Sequence, residues 1–206
     1  MDLASASAAI IASGRRLGAR GLISAGEGNL SIRLDSERLA FTPTGRRKDE
    51  LELDDIVVVR IGHDERGSRS PSGFGPSSDL AIHLAVHAAR PDVGAVAHAH
   101  LPASMALTLA GDIPDPAALP ETAHFIPRLP YIPFAPMGSD ELAVRIAAAL
   151  SEAPEPFPVA VLLERHGAVA IGPDLATTID RLELIEVLCR TWRDSLLVRA
   201  ARSTID

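Results

Sequence analysis

The chain has 206 residues, of which 47% are hydrophobic and 23% charged, which is typical of one globular domain and not of a disordered chain. The formal net charge of −7 disfavours nucleic acid as a partner, because binding to phosphates needs a basic surface. No apolar run approaches the roughly 20 residues of a membrane span, and the single cysteine excludes an internal disulfide, so we expect a cytoplasmic protein without a membrane partner.

The spacing of apolar residues predicts helices interleaved with short strands. The first helix is amphipathic and lacks the basic start of a secretion signal, and the β-branched run from Ile56 to Ile61 is typical of a strand. In chain order we predict helix 4–20, strands 30–34, 38–42 and 56–61, helix 79–90, strand 95–98, helices 103–110 and 139–151, strands 159–163 and 168–171, and helix 175–200.

Two irregular stretches interrupt this pattern. Residues 62–78 are rich in Gly, Ser and Pro and predict one long functional loop, and residues 114–136 are rich in proline. We expect Ser78 or Asp79 to cap the helix that follows the loop. Helices between hairpin-like strand pairs indicate a single α/β domain over residues 1–206 with a mixed or antiparallel sheet.

Three histidines form a candidate metal site. His98 and His100 are two apart at the end of a predicted strand, so their rings should point the same way, and His166 lies in a turn between two strands. Three histidine ligands leave a coordination position open, as in catalytic zinc sites. The alternative is that His98 and His100 are ordinary strand histidines. His83 and His87, four apart on a helix, favour packing or hydrogen bonding.

Four motifs in order carry a resemblance to a known family. They are SAGEGNLSIRL, FTPTGRRKDEL, GPSSDLAIHLAVHAARPDVGAVAHAHLPAS and ERHGAVAIG. Together they resemble the class II aldolase/adducin family, in its branch of fuculose-phosphate aldolases and ribulose-phosphate 4-epimerases. The resemblance covers about residues 8–190. It implies a three-layer α/β/α fold with a central mixed, largely antiparallel sheet, and a homotetramer with active sites at subunit interfaces.

The resemblance also implies a set of site residues. One zinc ion per chain would lie on His98, His100 and His166, although imidazole also accepts Mn²⁺, Fe²⁺ or Co²⁺. Asp79 would be the catalytic acid beside the metal, moving a proton to and from the substrate. A sugar phosphate would be held by the small and hydroxyl residues Gly28, Asn29, Thr44, Gly45, Ser77 and Ser78.

The reaction implied is cleavage of a ketose 1-phosphate, by way of an enediolate, to dihydroxyacetone phosphate and an aldehyde. Three departures from the family pattern keep other reactions open. Asp79 is typical of the epimerases, the only tyrosine is Tyr131 where both activities use one near the C-terminus, and Glu27 adds a negative charge to the phosphate loop. The alternatives are a sugar-phosphate 4-epimerase, a dehydratase, a decarboxylase, and a non-enzymatic adducin-like module. The last predicts loss of the three histidines, whereas a purely structural metal predicts binding without turnover.

Two further features favour a surface role. The run Arg46-Arg47-Lys48 could compensate for Glu27, but it is more typical of a solvated turn. Glu121 aligns loosely with proton-transfer residues of the family, and we interpret it as a surface glutamate.

Overall fold

A computed structural model describes residues 1–151 and 154–203. The chain forms helices and strands in an alternating order. These are α1 (Leu3–Ala19), β1 (Asn29–Arg33), β2 (Arg38–Phe41), β3 (Val57–Arg60), α2 (Leu80–Ala89), β4 (Ala95–Ala99), α3 (Pro102–Leu109), α4 (Pro120–Phe125), β5 (Tyr131–Ile132), α5 (Asp140–Ser151), β6 (Ala160–Leu163), β7 (Gly167–Gly172) and α6 (Leu175–Ser203). Short 3-10 turns lie at Leu53–Asp55 and Pro116–Ala118.

In the described part of the chain, seven strands join in one sheet in the order β3-β2-β1-β4-β7-β6-β5. Every neighbouring pair is antiparallel except β5 and β6, which are parallel. The predicted mixed, largely antiparallel sheet is confirmed. β4 lies at its centre, with β1 on one side and β7 on the other. The residues of the proposed metal site therefore lie on or next to central strands, His98 in β4 and His166 just before β7.

Helices cover both faces of the sheet because side chains alternate along its strands. In β4, Ala95 and Ala97 belong to the core that contains α1 and α6, whereas Val96 packs with α2 and α5. The same alternation recurs in β6 and β7, which makes the three layers of the predicted fold. His98 follows Val96 by two residues and so faces the α2 layer, where it is fully buried.

The predicted elements are confirmed with boundaries shifted by at most three residues, apart from three details. The proline-rich stretch contains α4 and β5, which the sequence pattern did not predict; a proline at the first helical position starts α4. The loop before α2 forms one isolated bridge, between Pro43 and Pro76. Asp79 is the N-cap residue of α2, yet no side chain caps this helix, so the predicted capping bond is wrong.

Among the described residues no helix is long and apolar enough to cross a bilayer. The predicted domain runs to residue 206, and its last three residues, like residues 152–153, lie outside the described part of the chain.

Candidate metal centre

His98, His100 and His166 lie together at one end of the central strands. Their ring centroids are 4.7–4.9 Å apart, and one ligand atom from each lies within 4.8 Å of the other two. His98 is the second-last residue of β4, and His100 follows it by two residues on the same side, as the strand period predicts. His98 is fully buried, and the other two are half-buried.

The turn between β6 and β7 places His166. Leu163 pairs with Gly167 across this hairpin, and the His166 amide donates to the Leu163 carbonyl at 3.2 Å. Gly167 has a φ of +91°, and a Cβ atom there would lie 2.1 Å from the Ala99 carbonyl oxygen. Only glycine allows β7 to approach β4 this closely, so Gly167 sets the distance from His166 to the other two histidines.

The ring nitrogens fit a cation between these histidines. His98 Nδ1 lies 3.0 Å from the Ala168 carbonyl oxygen, so it carries the proton and leaves the Nε2 lone pair free. Among the described residues, the buried Nε2 atoms of His98 and His166 have no hydrogen-bond partner. Burial lowers the pKa of His98 to about 3 and also lowers the pKa of His166, which keeps both rings neutral. Neutral imidazoles with buried, unpartnered nitrogens are a suitable donor set for Zn²⁺.

Asp79 lies beside the three histidines and is 3% exposed. Its Oδ2 atom is 3.9 Å from His98 Nε2 and accepts a hydrogen bond of 2.9 Å from the Asn29 side-chain amide. Its Oδ1 atom accepts from the Gly138 backbone amide at 3.0 Å. These two bonds turn the carboxylate away from the helix N-terminus, which is why it does not cap α2.

A second carboxylate approaches the centre from the loop before β1. Glu27 Oε1 lies 3.4 Å from His100 Nδ1, and Glu27 Oε2 accepts from the Ser24 backbone amide at 3.0 Å. The Glu27 side chain is 39% exposed. A carboxylate next to Nδ1 favours the tautomer that leaves Nε2 as the ligand atom. Sequence reasoning placed Glu27 only near a phosphate, because its distance to His100 depends on how β1 pairs with β4.

Three loops that carry the expected phosphate-binding residues are adjacent. Asn29 Nδ2 lies 3.4 Å from Ser77 Oγ, and the Thr44 amide donates to the Gly75 carbonyl at 2.9 Å. Gly28 has a φ of +72°, and a Cβ atom there would lie 2.9 Å from the His98 carbonyl oxygen, so this loop rests directly on β4. Thr44, Gly45 and Ser78 are exposed, whereas Gly28, Asn29 and Ser77 are at least half-buried.

A cavity of about 340 Å³ borders these loops on their outer side. Ser77, Ser78, His63, Arg66 and Gly138 are among its lining residues, but the three clustered histidines are not. The three histidines therefore do not line this cavity in the single chain.

Lys48 does not lie in a solvated turn, so that expectation is wrong for this residue. Lys48 is 1% exposed, and its Nζ donates to the carbonyl oxygens of Gly26 at 2.8 Å and Arg46 at 2.7 Å. Burial lowers its pKa to about 8. Arg46 is half-buried and pairs with Asp55, so the solvated turn describes only Arg47. Local charge patterning cannot reveal that α1 covers Lys48.

The remaining candidates have these positions. Glu121 is exposed in the first turn of α4, which agrees with a surface glutamate. Tyr131 is half-buried in β5, and burial together with a hydrogen bond to Glu164 raises its pKa. His83 and His87 are buried and hydrogen-bonded, as expected.

Comparisons with known proteins agree with this geometry. The family model described as "Class II Aldolase and Adducin N-terminal domain" matches residues 8–193. Methylthioribulose-1-phosphate dehydratase of Acidiphilium cryptum is 34% identical over 90% of this chain and 89% of its own length. The 3-oxo-tetronate 4-phosphate decarboxylase of Haemophilus influenzae is 32% identical over 84% of this chain and 80% of its own length. The crystal structure of L-fuculose-1-phosphate aldolase from Thermus thermophilus superposes with a TM-score of 0.79 and 26% identity, over 95% of this chain and 96% of that chain.

Proposed function

The chain is an enzyme of the class II aldolase and adducin family, and we propose that it is a zinc-dependent lyase that acts on a phosphorylated ketose. The observation that carries this proposal is the convergence of three histidines, two of which have buried, unpartnered Nε2 atoms. An adducin-like module without enzymatic activity would not need this donor set.

The residues around the cluster suit chemistry beside a ketose carbonyl. A bound zinc ion would supply a Lewis acid for the negative charge that develops on the carbonyl oxygen when a neighbouring bond breaks. His98, His100 and His166 would hold it, with an open position left for substrate. Asp79 would accept the proton that leaves the substrate and return it, because its Oδ2 atom lies 3.9 Å from His98 Nε2.

Among lyase reactions, we place dehydration of a ketose 1-phosphate first. A base would remove the proton from the carbon beside the carbonyl, and the hydroxyl on the next carbon would leave, with a proton, as water. This choice rests on similarity to methylthioribulose-1-phosphate dehydratases of Acidiphilium cryptum and of Granulibacter bethesdensis, the latter 30% identical over 89% of this chain. The aspartate at position 79 also distinguishes the chain from the aldolase pattern.

Carbon–carbon cleavage to dihydroxyacetone phosphate and an aldehyde is the second candidate. The superposition on a fuculose-phosphate aldolase favours it, as does 27% identity to L-fuculose phosphate aldolase of Methanococcus maripaludis over 79% of this chain. The same groups would serve this reaction, with a proton removed from a hydroxyl while the carbon–carbon bond breaks. Decarboxylation of a phosphorylated keto acid would also break a carbon–carbon bond, but it releases carbon dioxide and takes up one proton at the carbon left behind.

The substrate's phosphate would lie on the loops that carry Gly28, Thr44, Gly45, Ser77 and Ser78. The hydroxyls of Thr44, Ser77 and Ser78 and the glycine backbone amides are neutral donors, which suit a phosphate group. Glu27 is an acidic group of this loop region, and its carboxylate contacts the His100 ring and the Ser24 backbone amide. A homotetramer with active sites at subunit interfaces and a cytoplasmic location complete the proposal. A monomer by light scattering would contradict the shared site.

Metal content is the first test. We would measure bound zinc, manganese, iron and cobalt by elemental analysis in the wild type and in His98→Ala, His100→Ala, His166→Ala and a control, His124→Ala, whose side chain is exposed on α4. We expect about one zinc per chain in the wild type and the control, and loss of it in the other three variants. Metal that stays bound in all three variants would contradict the proposed centre.

Product analysis on a panel of ketose phosphates is the second test. Dehydration gives one product that keeps every carbon and has lost one water, cleavage gives two carbon fragments, decarboxylation releases carbon dioxide, and epimerisation changes no mass. Asp79→Asn keeps the shape of the side chain but cannot accept the proton, so we expect kcat to fall roughly 10²–10⁴-fold while zinc stays bound. An Asp79→Asn variant with wild-type kcat would refute the role of the carboxylate.

A further inference from the structure

An unbroken row of six polar side chains runs through the core from Arg33 to Asp79. We call it the polar row. In order its members are Arg33, His87, Ser31, His83, Asn29 and Asp79. The successive contacts measure 3.2, 2.9, 2.7, 2.6 and 2.9 Å. The four inner members are at most 2% exposed, so water does not compete for their hydrogen bonds.

Two sequence periods build the polar row. Asn29, Ser31 and Arg33 are two apart on β1 and so point to one face of the sheet. Asp79, His83 and His87 are four apart at the start of and along α2, which puts them on one side of the helix. α2 packs with this side against that face of β1, so successive members of the polar row alternate between the strand and the helix.

The two ends of the polar row fix its direction. Arg33 can only donate, and its Nη2 atom donates to the His87 carbonyl at 2.6 Å and lies 3.2 Å from His87 Nδ1. Its Nε atom donates to the Val93 carbonyl at 3.0 Å, which holds the guanidinium in place. At the other end the Asp79 carboxylate accepts from Asn29 Nδ2. Since Arg33 can only donate and a carboxylate can only accept, both ends are satisfied when every bond between them runs from Arg33 toward Asp79.

The direction assigns both histidine tautomers. Burial lowers the pKa of His87 to about 3 and that of His83 well below its usual range, so each ring carries one proton. With His87 Nδ1 as the acceptor from Arg33, His87 Nε2 carries its proton and donates to Ser31 Oγ. The Ser31 hydroxyl then donates to His83 Nδ1, and His83 Nε2 donates to Asn29 Oδ1. Reversing any one bond would bring two donors or two acceptors face to face.

We propose that the polar row keeps the Asn29 amide in the orientation that presents its NH₂ group, and not its oxygen, to Asp79. Ser31, His83 and His87 would then be positioning residues for the carboxylate beside the metal centre, a role that rests on the proposed function. The nearby Ser77 hydroxyl cannot select this orientation alone, because it lies 3.4 Å from Asn29 Nδ2 and can donate or accept. With Gly138 on Oδ1 and Asn29 on Oδ2, both carboxylate oxygens have a fixed donor.

Nuclear magnetic resonance of the ¹⁵N-labelled, metal-free wild type tests the assignment without any substrate. We expect a directly bonded proton on Nε2 and none on Nδ1 for both His83 and His87, near neutral pH. A proton on Nδ1 of either ring, or on both nitrogens, would overturn the proposed direction. This measurement determines the direction of the hydrogen bonds in the polar row even if the protein turns over no ketose phosphate. A failure of this proposal is therefore distinct from a failure of the proposed function.

Variants then test the positioning role. His83→Gln keeps a group that both donates and accepts, whereas His83→Leu removes it at similar size, and Ser31→Ala breaks the polar row one step away. We expect kcat to fall roughly 10–100-fold in His83→Leu and Ser31→Ala, with KM and zinc content unchanged, and to recover in His83→Gln. His124→Gln, on the exposed face of α4, is the matched control.

Ser31→Ala is the decisive variant if His83→Leu does not fold, because it removes one oxygen atom and no ring. Wild-type kcat in a folded, zinc-bound Ser31→Ala protein would overturn the positioning role. Equal losses of kcat in His83→Gln and His83→Leu would overturn it as well. If His83 had a merely structural role, a side chain that donates and accepts and an apolar one would have the same effect.

Discussion

Replacing Gly167 with alanine tests whether the contact between β7 and β4 sets the geometry of the three histidines. A φ of +91° is outside the range that residues with a Cβ atom readily adopt, and this costs about 1–2 kcal/mol. The new Cβ would also lie 2.1 Å from the Ala99 carbonyl oxygen, closer than any real contact, and relief of such overpacking costs about 1–3 kcal/mol. We therefore expect Gly167→Ala to lower the free energy of unfolding by about 2–5 kcal/mol.

Gly111→Ala is the matched control. Gly111 has a φ of +74°, but no atom lies within 4 Å of a Cβ built there. It should show the backbone cost alone, about 1–2 kcal/mol, with normal zinc binding. In Gly167→Ala the turn that carries His166 must move away from β4, so we expect zinc affinity to fall at least roughly tenfold.

Urea unfolding of the metal-free proteins and zinc titration against a competing chelator would measure the two effects. The reasoning would be refuted if Gly167→Ala and Gly111→Ala lost the same stability. Unchanged zinc affinity in a destabilised Gly167→Ala protein would show that the position of His166 does not depend on this contact.

Three further measurements follow from the buried groups. Burial lowers the pKa of His87 from 6.5 to about 3, so between these pH values the unfolded chain binds a proton at His87 and the folded chain does not. Stability that is fully present above pH 6.5 should fall as the pH drops toward 3, by up to about 1.4 kcal/mol per pH unit, and His87→Gln should reduce that slope in urea unfolding. Burial raises the pKa of Cys189 to about 12, so a thiol reagent should label it only after unfolding, and rapid labelling of the native protein would contradict its burial. Glu27→Gln should weaken zinc binding roughly tenfold, because the carboxylate lies 3.4 Å from His100 Nδ1; unchanged affinity in a chelator titration would show that this contact does not orient the ring.

Much of the fold could be predicted from the sequence, because its signals are local. The alternation in β4 and the helical spacing in α1 and α6 depend only on which side chains are apolar. The elements that were missed, α4 and β5, are six and two residues long, too short for a period to be visible among prolines. The spacing of His98 and His100 likewise predicted rings on one side of a strand, and they lie there.

The sequence by itself determined the layered α/β architecture, the family, and the side-chain types that could hold a metal and a phosphate. Only the tertiary structure decided which of these groups meet. The order β1-β4-β7 brings His166 to His98, and the packing of α2 on β1 connects Asp79 to Asn29 and Arg33 to His87. Lys48 is buried for the same reason, since its neighbours come from distant parts of the chain. Side-chain periods are fixed by backbone geometry within a segment, whereas contacts between segments depend on strand order and packing of the whole domain.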